Sequence, residues 1–454
     1  MRPTTNRPAR HGAGPANLLR LAALAALGAA TLGAGPGPHR TSAEITSILA
    51  TGPHAGACDA CHVAHGEPGE LPELHALVGP DDNSLCDRCH STAWSGGSYP
   101  GTLVYSRSSH GSSGSSAWPG PAPPARTEPG AAGKCLNCHD PHGQNDAQGE
   151  IAGLGLAREE SLCLTCHDGS PAQTDIASEL LRPYRHPTSS LNGLHAGPTE
   201  SMPTDFGAAP LNRRHAECED CHNPHLAYHD PSGPPLDSNL SKRNLGVSRV
   251  RVLNGGAGAP PAFTFVAAAD TLSPALAEYE LCFKCHSSWT SQPTGQSDLA
   301  LLLNPANPSY HPVEAPGANP SIRLGAFTPG WNAGSTTRCG SCHGSDAGAT
   351  EGPHGSSYRY ILRQPYTASP FERSMQPDES CFACHAYDVY ANASSIGLTL
   401  ENSRFNEPGA SAGHAKHVGE HQVPCYACHA THGSTTLPHL LVTGRSPGLQ
   451  SITV

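Results

Sequence analysis

The cysteines and histidines of this chain fall into one repeated pattern. All 18 cysteines of the 454-residue sequence lie in nine C-x-x-C-H motifs. On a helical turn, two thiols at this spacing can form thioethers with the two vinyl groups of one haem, while the next histidine ligates its iron. The pattern therefore predicts nine covalent haem c groups. The attaching cysteines are Cys58, Cys61, Cys86, Cys89, Cys135, Cys138, Cys163, Cys166, Cys218, Cys221, Cys282, Cys285, Cys339, Cys342, Cys381, Cys384, Cys425 and Cys428, and the proximal histidines are His62, His90, His139, His167, His222, His286, His343, His385 and His429.

Structural zinc and disulfides are the alternative uses of such cysteines. Paired C-x-x-C motifs hold zinc in many small domains, and some motifs here are separated by nearly a zinc-ribbon spacing. Neither zinc nor a disulfide requires a histidine directly after every second cysteine. Histidine makes up only 28 of 454 residues, so nine such coincidences by chance are negligible. We therefore favour haem.

The composition agrees with an interior filled by something other than side chains. The chain holds 49 glycines and 44 prolines but only 5% aromatic residues, too little bulky apolar material for large protein cores. We expect a mostly irregular chain with short α-helices organised around stacked covalent haems and few β-strands. One hairpin is expected within 247–266, where VSRVRVLNGG and PAFTFV alternate. The Gly-, Ser- and Pro-rich stretch 95–134 is expected to be irregular and extended.

The N-terminal segment has the pattern of an export signal. Residues 1–43 contain five arginines and no acidic residue, and residues 21–34 read LAALAALGAATLGA. This is typical of a secretory signal peptide. Cleavage after Ala34 or after Ala43 both fit, and a retained anchor is the alternative. We expect a periplasmic or extracellular protein with no stable membrane span after cleavage.

The charge of the chain bears on its partners. The formal net charge is −11, and loss of the arginine-rich leader makes it more negative. Nucleic acid is therefore a poor partner. The expected partners are other redox proteins, such as cytochromes, a quinol oxidase or an outer-membrane conduit.

Two kinds of motif alternate along the chain. First motifs begin at Cys58, Cys135, Cys218, Cys339 and Cys425, and four of them continue with another histidine three residues on, as in CHVAH, CHDPH, CHNPH and CHATH. In the first motif at Cys339 the extra histidine is delayed to His354. Second motifs begin at Cys86, Cys163, Cys282 and Cys381, after the polar or acidic leads NSLC, ESLC, YELC and DESC.

This alternation resembles the doubled CXXCH family of multihaem c-type cytochromes, over nearly the whole chain after the leader. The resemblance implies dihaem units and a role in electron transfer. The units are unit 1 at 44–100, unit 2 with a linker at 101–180, unit 3 with an insertion at 181–300, unit 4 at 301–400, and a single-haem unit 5 at 401–454. The tails HGEPGELPELHALVG, HGSSYRYILRQPY and HGSTTLPHLLVTG align, which indicates duplication.

Ten histidines are candidate distal ligands for nine irons. Five follow first motifs: His65, His142, His225, His354 and His432. Five lie upstream of units: His54, His110, His186, His311, and one of His414, His417 and His421, for which we take His417. The expected spares are His75, His195, His215, His229 and His439.

The spacing of the trailing histidines predicts crossed ligation. His65 lies three residues after His62, so it cannot reach the opposite face of the haem that His62 holds. It must serve another iron, which brings two haems close together. Repetition of this pattern would give a wire of closely spaced haems.

Three functions follow from these residues. The expected one is a non-catalytic electron carrier with mainly bis-histidine haems; with only three methionines, methionine ligation cannot be common. The second is a reductase of a nitrogen or sulfur oxyanion with one open iron, for which the irregular motif at Cys339 is the place to look. The third is a filament-forming homopolymer in which the C-terminal half unit accepts a ligand from the next protomer.

Overall fold

The computed structural model describes residues 58–62, 77–79, 83–90, 105–112, 135–147, 149–151, 155–188, 215–229, 237–267, 276–290, 295–348, 350–368, 372–395, 403, 405 and 413–443. They all belong to the unit Ala57–Val454. The leader and the candidate ligands His54 and His65 lie outside the described residues. Among the described residues, none of the helices has the length and hydropathy that crossing a membrane requires.

The helices are short, and most of them carry a haem motif. The α-helices are α1 (Cys58–Cys61), α2 (Asn83–His90), α3 (Ser109–Ser112), α4 (Glu159–Leu164), α5 (Ile176–Glu179), α6 (Glu278–His286), α7 (Leu299–Leu303), α8 (Cys339–Cys342) and α9 (Tyr387–Tyr390). Single 3₁₀ turns occupy Cys135–Asn137, Cys218–Asp220, Lys242–Asn244, Leu324–Ala326, Arg359–Ile361, Ser380–Ala383, Ala393–Ser395, Cys425–Ala427 and Pro438–Leu440, and a π-helical turn occupies Ala415–Glu420.

The described strands form four two-stranded antiparallel ladders. They are β1 (Asn145–Asp146) with β2 (Gly149–Glu150), β3 (Tyr184–Arg185) with β7 (Gly355–Ser356), β4 (Arg249–Leu253) with β5 (Ala262–Val266), and β6 (Ser309–Tyr310) with β8 (Gly433–Ser434). The β4–β5 hairpin lies in the interval where the alternating pattern predicts one. The β3–β7 and β6–β8 ladders join segments from different units and have no counterpart in the sequence predictions.

Two small apolar clusters form the core among the described residues. One packs the β4–β5 hairpin against α6 and α7, through Val250, Phe283, Ala300, Leu303 and Val313. The other surrounds the motif at Cys381, through Met375, Phe382, Ala391 and Val418. Each cluster contains only a few side chains, as expected for a chain poor in aromatic residues.

One helical turn lies in the stretch expected to be irregular. Of residues 95–134 the structure describes 105–112, and these include α3. The Ser108 hydroxyl accepts a hydrogen bond from the backbone N–H of Gly111 at 3.0 Å, which caps the turn. This turn places His110, one of the candidate ligands.

Candidate haem-binding sites

Most of the described haem motifs lie on a single helical turn, and those at Cys86 and Cys282 lie at the ends of the longer helices α2 and α6. In six of the motifs the backbone N–H of the histidine donates to the carbonyl of the first cysteine, four residues back, at 2.9–3.0 Å. This bond closes one α-helical turn, so the turn holds both thiols and the imidazole close together. The six motifs begin at Cys135, Cys163, Cys218, Cys339, Cys381 and Cys425.

The histidines of four first motifs face a histidine of the following unit. The distances between ring centres are 5.9 Å for His62 and His142, 6.0 Å for His139 and His225, 6.1 Å for His222 and His354, and 6.2 Å for His343 and His432. Each of these four trailing histidines therefore lies opposite the first motif of the preceding unit. The delayed His354 does so as well, despite its irregular spacing.

These separations fit one metal ion between the two rings. A metal–imidazole bond is about 2.0 Å, and a ring nitrogen lies about 1.1 Å from its ring centre, so two imidazoles across one ion have centres roughly 6.3 Å apart. Rings stacked directly on each other would lie much closer. The donor set is also suitable, because imidazole is a common axial ligand of haem iron.

The second motifs face histidines that lie upstream of both motifs of their own unit. His167 lies 6.1 Å from His110, and His286 lies 6.2 Å from His186, between ring centres. His385 is close enough to His311 for the two rings to interact electrostatically. For His90, the remaining sequence candidate His54 lies outside the described residues.

The C-terminal half unit differs from the expectation in one residue. The expected distal residue is His417, but the ring opposite His429 is that of His414, with 6.1 Å between ring centres. His417 instead stacks on Phe405, with 5.8 Å between ring centres, and its Nδ1 bonds the Gly413 carbonyl at 2.8 Å. Because the π-helical turn starts directly after His414, the spacing of these histidines alone does not show which one points at the motif.

Backbone carbonyls orient many of these imidazoles. A carbonyl can only accept, so each Nδ1 must carry the proton, which leaves Nε2 for a metal. The Nδ1–carbonyl pairs are His110 with Pro224 at 2.9 Å, His186 with Pro353 at 2.7 Å, His222 with Arg243 at 3.0 Å, His343 with Tyr360 at 2.7 Å, His429 with His439 at 2.9 Å, and His311 with Thr431. This arrangement is usual for metal-ligating histidines.

Desolvation keeps several of these rings in the neutral form that binds metals. Burial lowers the pKa values of two groups of histidines, to about 4 in the first group and to about 3 in the second. The charges of nearby histidines lower these pKa values further. The first group is His167, His225, His286, His385 and His432. The second is His354 and His414.

The cysteines place neighbouring motifs side by side in chain order. At the four unit boundaries the first cysteines are hydrogen-bonded as Cys86–Cys135, Cys163–Cys218, Cys282–Cys339 and Cys381–Cys425. Within units, electrostatic interactions join Cys61 to Cys86, Cys138 to Cys166, Cys221 to Cys282, and Cys342 to Cys384. All 17 cysteines whose side chains are described are free of disulfides. Every motif therefore adjoins the next along the chain.

Residues in or directly before the polar leads of three second motifs hold the next unit in place. Side-chain oxygens of Asn83, Glu159 and Glu278 accept hydrogen bonds from the backbone N–H of Cys135, Glu219 and Gly340, at 2.9, 2.5 and 2.8 Å. Each bond caps the helical turn of the following first motif. The sequence showed the leads but not this role, which depends on contacts 52 to 62 residues away.

Two strained residues supply carbonyls to proximal histidines. Tyr360 and His439 have φ values of 63° and 56°, in the left-handed region that is costly for residues other than glycine. The Tyr360 carbonyl accepts from His343 Nδ1, and the His439 carbonyl accepts from His429 Nδ1. The matching conformation in the two tails supports their alignment in sequence.

The expected spare histidines have other roles where the structure describes them. His215 is buried and bonds Glu217 at 3.0 Å, and His229 bonds Arg243 at 3.2 Å. His439 offers its carbonyl, not its ring, to His429. His75 and His195 lie outside the described residues. In the described part of the chain, no group of three or more His, Cys, Asp or Glu side chains could hold a metal ion.

A protein family matches part of the chain. The family described as "Doubled CXXCH motif" matches residues 128–172, which contain the first and second motifs of unit 2, at Cys135 and Cys163. This segment is therefore similar to the doubled CXXCH family, in agreement with the resemblance noted in the sequence. Its motifs indicate covalently bound haem c and a role in electron transfer. Comparisons with curated proteins and with solved structures found no match.

Proposed function

We propose that this chain is an exported cytochrome with nine covalent haem c groups. It carries electrons along closely spaced, mainly bis-histidine haems, in anaerobic or extracellular respiration. The observation that carries the proposal is the recurring separation of 5.9–6.2 Å between a motif histidine and a second histidine, found at seven motifs. A structural zinc site does not require this repeated two-histidine geometry.

Haem c would supply a redox-active iron at each motif, and the chain's residues would control its surroundings. Two histidines would hold each such iron, which would leave no position open to substrate. Carbonyl bonds at Nδ1 fix the rings, and desolvation keeps them neutral. Such a site favours electron exchange without bond making.

The order of the motifs supports a single path. Because each pair of consecutive motifs has neighbouring cysteines, the attached porphyrins would also be neighbours. Electrons would enter and leave through the ends or exposed edges, by contact with other redox proteins. The negative net charge favours partners with cationic docking patches.

The reductase and filament alternatives lack a supporting observation among the described residues. The first motif at Cys339, where the irregular spacing pointed to an open iron, has His432 opposite His343 at 6.2 Å. In the half unit, His429 faces His414 of the same chain. Each alternative would need a motif histidine without a second histidine of the same chain opposite it, and neither of these two motifs provides one.

Haem loading and axial ligation test the proposal together. The protein would be produced with its leader in a bacterial host that matures c-type cytochromes, then recovered from the periplasm or medium. Intact mass spectrometry should show nine covalent haems, and the reduced protein should bind no carbon monoxide. A protein without covalent haem would contradict the proposal. Stoichiometric carbon monoxide binding at one haem of the intact protein would instead support the reductase.

A further inference from the structure

Two short ladders hold distal histidines from different units side by side. In the β3–β7 ladder, Tyr184 pairs with Ser356 and Arg185 with Gly355. His186 directly follows β3, and His354 directly precedes β7. The backbone N–H of His186 donates to the His354 carbonyl at 3.3 Å. We call residues 184–186 and 354–356 the unit 3 clip.

The unit 3 clip faces both motifs of one unit. The ring of His354 lies opposite His222 of the first motif, and the ring of His186 lies opposite His286 of the second motif. The Nδ1 of His186 also bonds the carbonyl of Pro353, next to His354, at 2.7 Å. A shift of one clip strand must therefore move both histidines.

The same device recurs one unit later. In the unit 4 clip, residues 309–311 pair with residues 432–434, and the N–H of His311 donates to the His432 carbonyl at 2.8 Å. His432 lies opposite His343, and His311 interacts with His385. These are the first and second motifs of unit 4.

A buried glycine follows the trailing histidine in each clip, with no room for a side chain. A Cβ atom on Gly355 would lie 1.9 Å from the carbonyl oxygen of Glu179, at the end of α5. A Cβ atom on Gly433 would lie 1.8 Å from the carbonyl oxygen of Leu302, in α7. The obstacle in both cases is helix backbone, which cannot rotate away. Any side chain must therefore displace the clip strand from the helix.

We propose that Gly355 and Gly433 are positioning residues, each of which sets the distal ligation of both haems in one unit. Gly355 serves unit 3 and Gly433 serves unit 4. This inference rests on the proposed function, because it takes the clip histidines as axial ligands. Each glycine would thus control the distal ligation of two irons whose proximal motifs lie far apart in the sequence.

The test counts open haems in the full-length, haem-loaded protein. Carbon monoxide binds reduced haem with a free axial position, so its stoichiometry reports lost distal ligands. Gly355→Ala should bind two carbon monoxide molecules per protein, with nine haems retained. His186→Ala and His354→Ala should bind one each. Gly256→Ala is the matched control, since a Cβ there meets nothing within 4 Å, and it should bind none.

The outcomes separate this inference from the proposed function. If Gly355→Ala binds none or one while the histidine variants bind one each, the positioning role is wrong and the ligands stand. If the histidine variants bind none, the ligand assignment itself fails. Gly433→Ala repeats the test in unit 4 and should also bind two carbon monoxide molecules per protein. The inference predicts that each glycine variant loses distal ligation in one unit only and still carries nine haems. If neither variant accumulates as haem-loaded protein, the inference is therefore also contradicted.

Discussion

The first and second motifs hold their imidazoles in different ways. At the first motifs the two facing rings are nearly parallel, with interplanar angles of 8° to 26°. At the second motifs of units 2 and 3 the angles are 87° and 55°. The His429–His414 pair keeps the small angle of a first motif, at 26°, although its partner comes from upstream. The angle therefore follows the type of motif and not the origin of the partner.

The anchoring of the rings accounts for this difference. At three first motifs the proximal ring is fixed by a carbonyl, as for His343 and Tyr360. At second motifs the distal ring is fixed, as for His186 and Pro353. Ligand orientation and hydrogen bonding at the ring are levers on haem electronics. With haem bound as proposed, the two types of motif would therefore form two electronic classes of site with the same ligand atoms.

The largest expected effect comes from removing a trailing histidine. His432→Ala should open the haem at Cys339, because His432 lies opposite His343, and it should leave the adjacent haem at Cys425 six-coordinate. The reduced variant should bind one carbon monoxide. Comparison with a second variant lacking His343 would show whether the same haem changes. His421→Ala changes an exposed side chain and serves as the control, which should open no haem. If His432→Ala opens the haem at Cys425, crossed ligation is wrong.

Acid should destabilise the protein through both classes of site. The pKa values of His167 and His354 are lowered to about 4 and about 3 by desolvation, against about 6.5 in the unfolded chain. Below about pH 6.5 the unfolded chain takes up protons that the folded protein does not, so the free energy of unfolding falls as the pH drops towards about 4. The upper limit is about 1.4 kcal/mol per histidine for each unit of pKa difference. Denaturant titrations should show this decrease; greater stability at about pH 4.5 than at about pH 7 would contradict it.

A smaller effect is expected at the boundary between units 3 and 4. Glu278 accepts from the backbone N–H of Gly340 at 2.8 Å and from Arg338 at 3.0 Å. Glu278→Ala should lower the free energy of unfolding by about 1–3 kcal/mol, because buried donors lose their acceptor. Urea unfolding measures this, with the exposed surface acid Glu372 changed to Ala as the comparison. Equal losses in the two variants would show that the cap has no special role.

The smallest effect is spectroscopic and should be visible in the unmutated protein. Near-parallel and tilted axial rings split the iron d orbitals differently, so the oxidised protein should show two low-spin signals by electron paramagnetic resonance. The five first motifs should give one class and the second motifs the other. His186→Ala should remove intensity only from the class assigned to second motifs. A single low-spin signal in the intact protein would show that the sites at first and second motifs do not differ electronically.

The sequence predicted the local chemistry but not the choice of partners. The CXXCH spacing fixes both thiols and the proximal histidine within one helical turn, so the nine motifs could be read directly. The spacing of His139 and His142 excluded a shared iron, which agrees with His142 lying opposite His62. The preceding unit as partner, and His414 in place of His417, depend on packing between distant segments. Hydrophobic periodicity carries little information about such packing when few side chains form the core.

The position of one iron tests the central claim most directly. In a structure of the haem-loaded protein, anomalous scattering would locate each iron relative to its two histidines. We predict that the iron of the haem attached at Cys135 lies between His139 and His225, whose rings are 6.0 Å apart. An iron bound by His139 but not by His225 would contradict the account, even if all nine haems were present.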